Sequence, residues 1–199
     1  GYLMPVGLWD FLTSPEDEDT DFVSASLIRV LRYAALLLSL LLPALYAALA
    51  AFHQEMIPTK LLQAIIESKQ QVPFPTLFEV LGLLIAFELL QEAGVPLPQS
   101  LGQAVSIIGG LVVGTAAVEA KLISPAALIV VSVAGVCGYV IPGRELQSAV
   151  RAWRFVLTIC AALAGLFGVT AGLIALLLHL GSIKSFGRGY LRPFDRATT

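Results

Sequence analysis

Four long stretches without a formally charged side chain, at residues 33–52, 101–118, 122–143 and 155–183, constrain this chain more than any other feature. A bilayer's hydrocarbon core is about 30 Å thick and takes roughly 20 helical residues to cross, so each stretch meets or nearly meets that length. A backbone amide in lipid has no water to bond, and one segment alone can satisfy its own amides only as a helix. The expected fold is therefore all-α, a polytopic transmembrane helical bundle. Composition closes off the main alternative. Of 199 residues 57% are apolar and 13% charged, against about 25% charged in an ordinary soluble domain. A soluble helical domain needs polar outer faces, which these stretches lack. With a net charge of −2 and scattered basic residues, there is no stripe for nucleic acid.

The segments between the stretches set the organisation. Residues 1–26 carry Pro5, Pro15 and the string Glu16-Asp17-Glu18-Asp19-Thr20-Asp21, and read as a loop-like solvated linker. Gly1 is not an initiator Met and no signal-peptide pattern precedes the first stretch, so a longer parent protein is expected. Residues 27–183 form the expected transmembrane domain and 184–199 a cytoplasmic C-terminal tail. Pro43 should kink the first span. Leu61, Leu62, Ile65 and Ile66 predict a helix over 59–69. Residues 76–94 are long enough to cross but contain Glu79, Glu88 and Glu92. If they do not cross, Arg29, Arg32, Lys121, Lys184, Arg188, Arg192 and Arg196 face the cytoplasm, against Lys60, Lys69, Arg144, Arg151 and Arg154 outside. That seven-to-five division obeys the positive-inside rule, and a fifth span reverses it. The expectation is four spans plus a re-entrant or interfacial helix. Over 144–154, Leu146, Ala149, Val150 and Trp153 share one face, opposite Arg144, Gln147, Ser148, Arg151 and Arg154. Such a basic amphipathic helix suits the membrane surface. The last stretch, about 43 Å long as one helix, is expected to tilt or to protrude at His179.

Small and acidic residues are the remaining signals. Lipid supplies no hydrophobic drive between helices, so small residues mark close contacts. Gly110 and Gly114 lie four apart, and Ala161, Gly165, Gly168 and Gly172 make a seam; helix packing is the default reading and pore lining the sharper one. Carboxylates at bilayer depth need water, a partner or an ion. Glu79, Glu88 and Glu119 are thus candidates for an ion path, although Glu119 also suits the headgroups and the other two also suit pairing with Lys60 or Lys69. Glu79 and Glu88, nine residues apart, fall about half a turn apart on a helix and point to opposite sides. Cys137 and Cys160 lie in apolar stretches and read as small hydrophobes. His53-Gln54-Glu55 lacks the His-Glu-x-x-His spacing. There is no Gly-x-Ser-x-Gly elbow, phosphate loop or zinc set, so neither an enzyme nor a cofactor or metal site is expected. The halves do not repeat each other with matched broken helices, which speaks against a transporter.

Several longer strings carry a resemblance. Phe52-His53-Gln54-Glu55-Met56-Ile57-Pro58, Val72-Pro73-Phe74-Pro75, Gly102-Gln103-Ala104-Val105-Ser106-Ile107, Ala116-Ala117-Val118-Glu119-Ala120, Ser124-Pro125-Ala126 and Ser182-Ile183-Lys184-Ser185-Phe186-Gly187 occur in order. Together they resemble the membrane domain of the GerA spore-germination receptor family, A subunit, over residues 16–194. Lys121 departs from the pattern, standing where a small residue is usual. The resemblance implies a spore inner-membrane subunit preceded by a soluble N-terminal domain. It implies a transporter-like B subunit that binds nutrient and a lipoprotein C subunit as partners. It further implies a homo-oligomer in the lipid bilayer that releases cations once nutrient is sensed. The rival expectation is a non-conducting scaffold subunit of a membrane receptor complex.

Overall fold

The computed structural model describes residues 22–94, 99–185 and 188–189. In chain order they form α1 (Phe22–Phe52), a 3₁₀ turn (Gln54–Met56), α2 (Thr59–Lys69), α3 (Thr76–Gly94), α4 (Gln99–Glu119), α5 (Pro125–Val140) and α6 (Arg144–Ser182). Two-residue strands β1 (Lys184–Ser185) and β2 (Arg188–Gly189) then pair antiparallel, a small addition to the all-helical expectation. Most of the linker expectation lies outside the described residues, as do residues 95–98 and most of the tail. The helix begins at Phe22, so residues 22–26 belong to α1 rather than to a loop. It continues through Pro43, which is fully buried.

Among the described residues three helical stretches are long and apolar enough, by length and composition, to cross a membrane: Ser24–Phe52, Leu101–Glu119 and Arg144–Ser182, the last counted across a turn at Gly165. The third expected span is shorter, because its ends are used to make turns. Ser124 caps α5, its hydroxyl accepting from the Ala127 amide at 3.3 Å, with Pro125 in the first turn. At the far end Ile141 is extended ahead of Pro142. The 16 residues between span about 24 Å.

α6 departs most from expectation. A straight helix would hold Trp153 and His179 about 39 Å apart, yet their ring centroids are 5.7 Å apart. Gly165 is responsible, with φ 61° and ψ −139°, a conformation essentially reserved for glycine. The chain doubles back there, and residues 144–164 lie antiparallel to 166–182. Gly168 abuts the Cys160 carbonyl, and a methyl at Gly172 would fall 2.6 Å from Leu157 Cδ2. The last stretch therefore neither tilts nor protrudes as one long rod. Nor is 144–154 a separate surface helix: it is the opening of the first arm, with Val150 and Arg154 buried.

α1 lies along this hairpin. Leu36 and Leu40 meet Leu146, Val150 and Leu176 near its open end, while Phe52 and His53 close on Gly165 at its tip. Leu40, Ala44 and Ala48 pack with Leu157, Ala161 and Val169 to form one core. α3 and α4 form the other antiparallel pair. Their backbones touch at Gly94 and Gly102, and the Ser106 hydroxyl donates to the Leu90 carbonyl at 2.9 Å. Gly110 accommodates the Phe87 ring, and Gly114 accommodates Leu128 of α5. Between the pairs, Val80, Leu83, Leu84 and Phe87 of α3 pack with Ala127 and Val131 of α5.

Candidate functional site

Two polar clusters bracket that second core, about 14 Å apart along α3. The first surrounds Glu79, which is 2% exposed. Its Oε2 accepts from the Ser124 amide at 3.0 Å and from the Ser124 hydroxyl at 2.7 Å. Its Oε1 lies 3.3 Å from Lys69 Nζ, and the same ammonium donates to the Thr76 hydroxyl. Tyr46 of α1 brings its phenol beside Ser124 and Glu79. A carboxylate at the start of α5 also faces the positive end of that helix. Glu79 is thus charge-balanced and shut away from the surface, hydrogen-bonded through Oε2 and ion-paired, without a hydrogen bond, through Oε1. It ties α3 to α2 and α5.

The second cluster lies where α3 meets α5 and α6. Arg151 Nη1 donates to Glu88 Oε1 at 2.8 Å and to Gln91 Oε1 at 3.2 Å. The Glu88 side chain is 37% exposed and that of Arg151 25%, so this pair is open at one side. Arg154, one turn on, is 4% exposed. The sequence pattern put it on a polar outer face; folding α6 against α1, α3 and α5 turns that face inward. Its guanidinium lies near Gly138, and Ser39 of α1 approaches the same glycine. Gln147 donates to the Ile141 carbonyl at 2.7 Å, closing the top of α5. Arg144 is exposed at the start of α6, and Trp153 lines an apolar groove with Leu36, Leu40, Leu176 and His179.

The third candidate carboxylate is elsewhere. Glu119 is exposed at the end of α4, five residues before Ser124. The turn after it explains why a small residue is usual at the position of Lys121. Lys121 adopts φ 58°, its amide bonds the Val118 carbonyl at 2.9 Å, and Leu122 bonds the Ala117 carbonyl at 3.0 Å. This is a left-handed helix stop of the kind glycine usually provides. The three carboxylates thus have different surroundings: Glu79 sealed, Glu88 paired and half-open, Glu119 exposed at a helix end. Pattern reading passed over Tyr46, Ser39 and the cap role of Ser124, of which only Ser124-Pro125 carries a local signal. Among the described residues no three His, Cys, Asp or Glu side chains converge as a metal set.

The whole of residues 1–199 matches the model of the Bacillus/Clostridium GerA spore germination protein family. The chain belongs to the GerA family. It is 42% identical over 191 residues to spore germination protein KA of Bacillus subtilis (strain 168), covering 96% of this chain and 35% of that protein. It is 40% identical over 191 residues to spore germination protein A1 of the same organism, covering 96% and 40%. An uncharacterised membrane protein of that organism, YfkQ, is 42% identical over 195 residues, covering 96% and 38%. The chain thus spans well under half the length of these relatives. No solved structure matches it.

Proposed function

We propose that this GerA-family chain is the membrane portion of a nutrient germinant receptor in the spore inner membrane, and that several copies surround a path for cations. Membership of the family along the full chain is the observation that carries the germination role. Two features support the ion path. Glu88 is a carboxylate with an exposed edge, on a helix packed beside others long and apolar enough to cross a membrane. The outward face of α4 leaves Leu101, Val105, Ile108, Leu111 and Val112 exposed, with room for a neighbouring copy. We assign Glu88 and Glu119 to the path and Glu79 to holding the bundle together, because no ion reaches Glu79 without displacing Lys69. A transporter-like B subunit would bind nutrient and a lipoprotein C subunit would complete the assembly. Nutrient then opens the path only by binding the open arrangement more tightly than the closed one.

The rival reading is a scaffold that holds receptor components and conducts nothing. The full neutralisation of Glu79 within one chain favours it. Recording from the purified assembly in a planar bilayer separates the two. Discrete, cation-selective current steps whose ion preference changes in Glu88→Gln support the channel, and a silent membrane under every nutrient tried supports the scaffold.

A further inference from the structure

The cluster at the top of α3 does not balance its charge. Arg151 and Arg154 bring two guanidinium groups to this cluster and Glu88, bonded to Arg151, one carboxylate. One positive charge is left over. The Arg154 Nε and Arg151 Nε atoms are both buried without a hydrogen-bond partner. Two nearby acceptors are taken, Gln91 Oε1 by Arg151 and the Ile141 carbonyl by Gln147; the Ser39 hydroxyl beside Gly138 is buried without a partner but, being neutral, offsets no charge. Between Gln91, Gly138, Tyr139, Gln147 and the two arginines lies a cavity of about 10 Å³, room for one water-sized particle. Water would fill that space but leave the charge uncompensated, and an unpaired guanidinium among apolar helices is costly.

We infer that this cavity binds a single-atom anion of chloride size, held by the Arg154 guanidinium. Arg154 supplies the donors, and Arg151 adds positive potential while its own Nη1 stays on Glu88. The cavity has the size of one water; chloride, slightly larger, fits if the lining gives a little, bromide fits less well, and sulfate and phosphate are too large. The inference concerns binding alone and stands whether the assembly conducts or not.

The test uses the full chain purified in detergent, with its unfolding midpoint followed in sodium chloride, bromide, sulfate and gluconate at equal ionic strength. Chloride is expected to raise the midpoint saturably and bromide, the larger ion, to raise it less, with sulfate and gluconate equal to each other and lower. Three variants then give effects of opposite sign. Glu88→Gln removes the competing negative charge and should tighten the apparent halide affinity about tenfold. Arg151→Gln should weaken it about tenfold. Arg154→Met should abolish the halide effect. Glu88→Gln and Arg151→Gln alter partly exposed side chains, so the test survives if Arg154→Met fails to fold. Equal midpoints of the wild-type chain in all four salts overturn the inference and assign the cavity to water. A halide effect that Glu88→Gln and Arg151→Gln leave unmoved overturns it too.

Discussion

Glu79 and Glu88 lie on one helix, nine residues apart, and meet opposite fates. Glu79 faces the start of α5 and the lysine that ends α2, and every charge there has its opposite. Glu88 faces α6, where two arginines share it and one edge stays open. Their positions half a turn apart on α3 send them to different neighbours, and the neighbours decide the chemistry. A carboxylate in an apolar helix is thus no single kind of feature. Here one is an internal fastener and the other is the acidic member of an unbalanced cluster.

The comparison breaks most visibly at Glu79. Glu79→Gln removes the ion pair with Lys69 and weakens both bonds from Ser124, leaving an ammonium without its partner. Thermal unfolding in detergent should show a loss of about 3–5 kcal/mol; a midpoint within a degree of wild type would mean that the cluster holds nothing together. Next in size is Gly168→Val, since a side chain there collides with the Cys160 carbonyl and forces apart the arms that carry the arginine cluster. A loss of about 1–3 kcal/mol is expected, and an unchanged midpoint would refute the hairpin. Arg154→Met should move in the other direction. In gluconate, with no halide present, exchanging an unpartnered buried guanidinium for an apolar side chain is expected to raise stability by about 1 kcal/mol, whereas a marked loss would show that Arg154 has a partner in the protein. The smallest effect belongs to Glu88→Gln, whose half-exposed pair contributes under about 1 kcal/mol. A loss as large as that of Glu79→Gln would erase the distinction between the two clusters.

Much of the helical inventory is legible along the chain. Leu61, Leu62, Ile65 and Ile66 mark α2, and the boundaries Thr59–Lys69 and Thr76–Gly94 match the helices observed. The half-turn offset between Glu79 and Glu88 follows from spacing alone. The errors fall where one residue reverses the chain or where a face is defined by what packs on it. Nothing in the string around Gly165 separates a packing glycine from a turning one, because Ala161, Gly168 and Gly172 surround it with the same small residues. With the turn hidden, 155–183 reads as one rod, and the polar face of 144–154 reads as exposed. Arg154 then passes for a surface charge.

What the sequence determined by itself is the solvent of this protein and the type of its elements. Transfer from water to lipid adds up residue by residue, and backbone amides in lipid must bond within their own segment; both properties are local. Which charges meet was decided only by the tertiary structure. One left-handed glycine sets the direction of everything after it, and bringing Arg151 to Glu88 across 63 positions depends on how α6 packs against α3 and α5, which no local pattern records.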